Sequence, residues 1–152
     1  MNKNGLINFL IKARTETYAG GKGKVKPILK GSKQLEYKEG NFFYRDIYYV
    51  GDRIFSGLEV VYFKQKPVFS ISYFGNYKKA TEKEIDDILR RALIENKDKT
   101  RLWHNVKWKY KNYKYICKSQ NRKSIDEIGG EEKILKDKKI IYHFYYAGGV
   151  LI

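Results

Sequence analysis

Cysteine, histidine, proline and methionine are nearly missing from this chain: one Cys, two His, two Pro and one Met in 152 residues. The lone Cys117 can form no intrachain disulfide, so no covalent staple holds the fold, and a reducing compartment such as the cytoplasm is the simplest setting. His104 and His143 lack the spacing of a ligand pair, and Cys117 has no second cysteine, so no metal site and no cofactor is expected. No serine sits in a Gly-x-Ser-x-Gly elbow. Lys114 and Lys118 would lower the pKa of an exposed Cys117 thiol, but a single cysteine among tyrosines reads as a packing residue. No apolar run approaches the roughly 20 residues that span a bilayer. The stretch 6–11 is apolar but short, and no small-residue cleavage site follows it. Neither a membrane anchor nor a secretory leader is expected.

What remains is a globular composition, 42% hydrophobic, with a formal net charge of +15. A chain of this length can bury a real core as one domain spanning 1–152. The positive charge is mostly lysine, 25 against 7 arginines. Arginine is the residue that reads phosphates and bases bidentately. The charge therefore permits non-specific, salt-sensitive contact with nucleic acid, and a codon bias toward Lys, Ile, Asn and Tyr explains it equally. The excess is concentrated in residues 1–40, with nine basic and three acidic side chains, and in 97–124, with ten and one.

Periodicity predicts the elements. Leu6, Phe9, Leu10 and Ala13 repeat at helical spacing over 5–14, with Asn4 as a candidate cap. Residues 19–33 form a Gly- and Lys-rich loop that lacks the P-loop pattern and is expected to be flexible and solvated. Alternating aromatic segments at 33–38, 42–49, 53–63 and 67–74 read as strands, the last two joined at Lys64-Gln65-Lys66. Residues 82–95 give the best helix: Thr81 and Glu84 fit a capping box, Ile85, Ile88, Leu89, Ala92 and Leu93 make one apolar stripe, and Asn96 is a stop. Residues 110–115 read as a strand, 131–136 and 139–146 as a second hairpin around Asp137-Lys138, and the apolar end 148–152 as docked.

The second hairpin repeats the first at a fixed offset of 73 residues. Gly57 falls on Gly130, Glu59 on Glu132, Tyr73 on Tyr146 and Gly75 on Gly148. Residues i and i+2 of a strand share a face, so Glu59 lies with Phe55, Val61 and Phe63, and Glu132 with Ile128 and Ile134. A carboxylate on such a face needs a partner once buried. One reading has each glutamate locking its hairpin through a backbone N–H, a tyrosine or an arginine. The other has it facing a ligand, or acting as half of an acid/base pair in an enzyme.

Two further clusters stand out. In Tyr44-Arg45-Asp46-Ile47-Tyr48, the two tyrosines and Asp46 share one face and Arg45 points to the other. This is either an edge strand with a surface ion pair or a Tyr- and Asp-lined pocket for a polar ligand. Between Trp103 and Tyr115, aromatics alternate with lysines. Lys107, Trp108, Lys109, Tyr110, Lys111 and Tyr113 could form a stacking surface for single strands, or simply an amphipathic strand.

The chain resembles a bacterial family, the domain of unknown function 5680. The resemblance rests on Thr17-Tyr18-Ala19, Tyr37, Gly40, Tyr44-Arg45-Asp46 and Tyr48. It continues through Phe55-x-Gly57-x-Glu59-x-Val61-Tyr62, Pro67-Val68-Phe69, Tyr73 and Gly75. Later come Ala92-Leu93, Gly130-x-Glu132 and Tyr146-x-Gly148-Gly149. The family often follows a helix-turn-helix module in transcription regulators, which implies an effector or sensing domain. Here the chain begins at the domain, and Arg101-Leu102-Trp103 stands where the family tends to have Arg-Gly-Pro.

The expected fold is α+β: a curved antiparallel sheet of two pseudo-repeated hairpin units, the 82–95 helix packed on it and a short N-terminal helix. The leading expectation is a non-enzymatic ligand-binding or regulatory domain for a small polar ligand, using Tyr18, Tyr44, Asp46, Tyr48, Glu59 and Glu132. A basic nucleic-acid-binding module is the alternative, and an enzyme using the paired glutamates the third.

Overall fold

The structure is a computed structural model and describes residues 1–120 and 123–152. Asn121 and Arg122, part of the basic 97–124 segment, lie outside the described residues. Helix α1 spans Lys3–Arg14 and runs into a five-residue π-helical turn, Thr15–Ala19. Strands β1 (Lys24–Val25), β2 (Lys33–Glu39), β3 (Phe42–Val50), β4 (Ile54–Phe63) and β5 (Lys66–Asn76) follow. After helix α2 (Glu82–Glu95) come β6 (Val106–Tyr110), β7 (Tyr113–Ser119), β8 (Glu127–Lys136) and β9 (Lys139–Val150). All nine strands form one antiparallel sheet in the order β1-β2-β3-β4-β5-β9-β8-β7-β6. No helix among the described residues is long and apolar enough to cross a membrane.

The predicted repeat is a pseudo-twofold. Where β5 meets β9, Tyr73 stands opposite Tyr146, Ile71 opposite Gly148 and Gly75 opposite Phe144. Each residue thus faces the equivalent of its mirror neighbour, and the axis passes between the two tyrosines. Both hairpins turn through two residues at positive φ, Lys64-Gln65 and Asp137-Lys138, at 48° and 66° in each. These are the backbone values of the turn that suits right-handed strand twist. Both ladders also slip by one residue at equivalent places, after Val61 and after Ile134.

The glycines explain the paired motifs. Gly57 stands opposite Tyr73, and Gly130 opposite Tyr146. A Cβ at Gly57 would come 2.4 Å from the Tyr73 hydroxyl, and one at Gly130 2.9 Å from the Tyr146 hydroxyl. Each tyrosine ring therefore lies across its glycine and reaches the next strand. Two residues past Gly57 and Gly130, on the same face, come Glu59 and Glu132.

One face of the sheet carries both helices. Phe9 of α1 stacks on Phe42 at 4.8 Å and lies tilted against Tyr37 at 5.8 Å. The stripe of α2 is buried as predicted. On the opposite face, Tyr49, Leu58, Phe74 and Tyr145 are exposed.

Several local expectations change. The N-cap of α1 is Asn2, whose side chain accepts from the Gly5 N–H at 2.6 Å, so Asn4 lies inside the helix. The Thr81 hydroxyl caps α2, but Glu84 does not return the bond; its carboxylate goes to Tyr113 and Lys136, each at 2.6 Å. The Gly-Lys loop is not wholly irregular, because Glu36 N–H bonds the Gly23 carbonyl and β1 pairs with β2. Residues 110–115 hold a hairpin turn rather than one strand, with Lys111 at φ 52°. At the C-terminus, β9 stays paired through Val150, while Leu151 and Ile152 are exposed.

Candidate ligand cavity

A cavity of about 300 Å³ lies on the helix-bearing face, between α2, the π-helical turn and strands β2–β5. The wide turn after α1 brings Tyr18 toward α2, where its hydroxyl donates to Asp86 at 2.6 Å. Such turns recur at functional sites. Arg90 packs over the Tyr18 ring, 5.0 Å from its centre. Leu89 and Leu93 of α2 supply apolar wall, and Phe55, Tyr142 and Phe144 come from the sheet.

The floor is polar, with Tyr44 and Asp46 buried and Tyr48 half-buried. Tyr44, Asp46 and Tyr48 project from β3, which is an interior strand between β2 and β4, not an edge. Arg45 faces the other way and pairs with Glu36 of β2 at 2.9 Å. Asp46 stands opposite Glu59 in the ladder and accepts from the Tyr73 hydroxyl at 2.6 Å. Burial, and then the Glu59 carboxylate, push the Asp46 carboxyl up to about 7. Burial and the Asp46 charge push Tyr48 up to about 12.

Each repeated glutamate is paired with an arginine from outside the sheet. Arg14, the last residue of α1, contacts Glu59 Oε2 through Nε at 2.9 Å and Nη2 at 2.8 Å. Arg101, between α2 and β6, grips both oxygens of Glu132 at 2.9–3.1 Å. Tyr115 also donates to Glu132. Arg14 Nη1 donates to the Arg101 carbonyl at 3.1 Å, tying the two pairs together. Arg101 lies over the Phe144 ring at 4.3 Å.

One buried hydroxyl is left over. Tyr142 is 1% exposed and lines the cavity, and its Oη, beside the Arg101 guanidinium, has no hydrogen bond of proper geometry. An unmade bond of this kind costs about 1–3 kcal/mol.

The second half carries the same scaffold without the carboxylate. Glu59 faces Asp46 in the ladder, and Glu132 faces Cys117. Tyr146 approaches Cys117 Sγ at 3.7 Å, as Tyr73 approaches Asp46. Cys117 is fully buried, and burial raises its thiol pKa, so it is packing and not an activated nucleophile. Lys118, on the other face, is exposed.

The family model described as Domain of unknown function (DUF5680) matches residues 46–151. The chain belongs to this family. No curated protein and no solved structure matches it.

In this DUF5680 chain the sequence-predicted residues divide. Tyr18, Tyr44, Asp46, Tyr48 and Glu59 line one cavity; Glu132 does not, standing behind Arg101. No group of three potential metal ligands occurs among the described residues. The aromatics of the alternative site turn inward: Trp108 Nε1 donates to Glu95 of α2 at 2.5 Å, Arg91 covers the Tyr110 ring at 4.9 Å, and Tyr113 donates to Glu84. Lys107, Lys109 and Lys111 are exposed, with the first two on the opposite face of β6. Sequence reasoning missed Arg14, Arg101, Tyr73, Tyr142 and the α2 wall.

Proposed function

We propose that this DUF5680 domain is a non-enzymatic ligand-binding domain with a regulatory role, working in the cytoplasm on a small polar molecule. The observation that carries this reading is the cavity itself: apolar walls around a few buried polar groups, of which Arg14 Nη2, Arg90 Nε and Tyr142 Oη have no hydrogen bond of proper geometry and Asp46 has the Tyr73 hydroxyl as its donor. Pockets that fix a small ligand have this composition. A catalytic pair of glutamates is disfavoured, because Glu132 is outside the cavity and both carboxylates are committed to arginines.

Native mass spectrometry of freshly purified protein tests the reading. A small-molecule adduct is expected on the wild type and not on Leu89→Trp, which fills the cavity. A wild type without an adduct, and without a thermal shift across a metabolite panel, removes it. The nucleic-acid alternative predicts binding that Trp108→Ala weakens. The inward-facing ring instead supports loss of binding with salt and none with that substitution, read by oligonucleotide titration at two salt concentrations.

A further inference from the structure

We propose that the cavity selects a small molecule carrying one cationic nitrogen, seated between Asp46 and the surrounding aromatic rings. This rests on the cavity reading above and names the chemistry of its ligand.

The charge inventory points there. Arg14 is taken by Glu59 and Arg101 by Glu132. Asp46, 6% exposed, is left with no cation of its own among the described residues; its side-chain donor is the Tyr73 hydroxyl. The pseudo-twofold supplies an internal control. The second half keeps the arginine, the glutamate and the tyrosine lying over glycine, yet places Cys117 at the position of Asp46. The extra carboxylate stands only in the first half, at a position that borders the cavity, whereas Cys117 does not border it.

The surroundings of Asp46 suit a cation, while Arg14, Arg90 and Arg101 keep other parts of the wall positive. The rings of Tyr44, Tyr48, Phe55, Tyr73, Tyr142 and Phe144 line the space. Their negative faces attract a desolvated cation. An anion would meet Asp46 and Glu59 together. The groups facing Asp46 are Glu59 on β4, Tyr73 on β5, Tyr44 on its own strand, Arg14 at the end of α1 and Arg101 ahead of β6. Asp86 of α2 reaches Tyr48 but is occupied by Tyr18 and Arg90. At the rim, Lys22, Lys24 and Lys97 are exposed. They oppose a polycation and tolerate an anionic tail.

Calorimetry with four probes tests this: 2-phenylethylamine, choline, 2-phenylethanol and 3-phenylpropionate, at pH 6 and pH 8. An amine should bind, and tighten about tenfold between the two pH values as Asp46 gives up its proton. Phenylethanol should show no rise, and Asp46→Asn should remove both the amine affinity and its pH dependence. The wild-type pH comparison stands even if that variant fails to fold. The inference is overturned if neither amine binds up to about 10 mM, if phenylethanol or phenylpropionate binds as tightly at pH 8, or if Asp46→Asn binds amines unchanged. Binding of a non-cationic probe that Leu89→Trp abolishes would leave the cavity reading in place. No probe bound and no adduct in native mass spectrometry would remove both.

Discussion

Replacing Asp46 by Asn should make the domain less sensitive to pH, and more stable at alkaline pH. Asp46 has a folded-state pKa of about 7 against 3.8 for the free side chain. A raised pKa means that the folded state holds the proton more tightly than the unfolded one. The associated stability is complete below pH ~4 and is lost as the pH climbs through ~7. With those two values, linkage gives a loss of about 2–3 kcal/mol between pH 5 and pH 8. The cause is concrete: the ionised carboxylate is buried and faces Glu59 across the ladder, and the Tyr73 hydroxyl with the more distant Arg101 and Arg14 offsets this in part. Asparagine keeps a carbonyl for Tyr73 and never ionises. Every other ionisable group is common to the two proteins, so the difference between them isolates Asp46. Urea denaturation followed by tryptophan fluorescence at pH 5, 6, 7 and 8 gives both curves. The wild-type curve should fall relative to the variant by that amount, and the variant should be the more stable at pH 8. Parallel curves, or a wild type that gains stability over this window relative to the variant, would refute the reasoning.

Gly57→Ala and Gly130→Ala should each cost about 1–3 kcal/mol by overpacking against the tyrosine ring and a neighbouring carbonyl, seen as a lower urea midpoint; an unchanged midpoint would show that the rings do not need that space. Glu132→Gln should cost about 3–5 kcal/mol because Arg101 is left buried without its counter-charge, whereas Arg101→Met with Glu132→Leu should cost distinctly less. Equal losses in the single and double variants, measured the same way, would show that packing and not charge sets the cost.

The sequence disclosed the fold far better than the partners inside it. Helix α2 was readable because its cap, its stripe and its Asn96 stop are all local, and Asn96 does close the helix through Ala92. The repeat was readable because hairpins keep a fixed register, so equal spacing in sequence becomes equal position in the ladder. The arginines were not readable. Arg14 meets a glutamate 45 positions away and Arg101 one 31 positions away, each reaching the sheet from an element outside it, which leaves no periodic trace. The Tyr73–Asp46 bond was hidden in the same way, although Gly57 opposite a tyrosine in a two-strand register could have suggested a ring crossing to the third strand. The 110–115 segment misled because a tight turn flanked by tyrosines looks like one continuous aromatic strand.

The duplication also bears on where function can reside. Two halves with the same arginine–glutamate clamp, the same tyrosine over glycine and the same turn need those features to hold the sheet and its helices, because both halves keep them. Features that differ between the halves are free of that duty. The largest such difference on the buried face is Asp46 against Cys117, followed by Tyr48 against Ser119, which face Gly57 and Gly130 in their ladders. Cys117 and Ser119 are buried and do not border the cavity, whereas Asp46 and Tyr48 do. A carboxylate that destabilises the fold when ionised, at a position where the sister half shows that an uncharged residue suffices, is difficult to explain by architecture. The glutamates first singled out by the repeat therefore serve the sheet in both halves, and the proposed binding turns on the residue outside the repeat, Asp46.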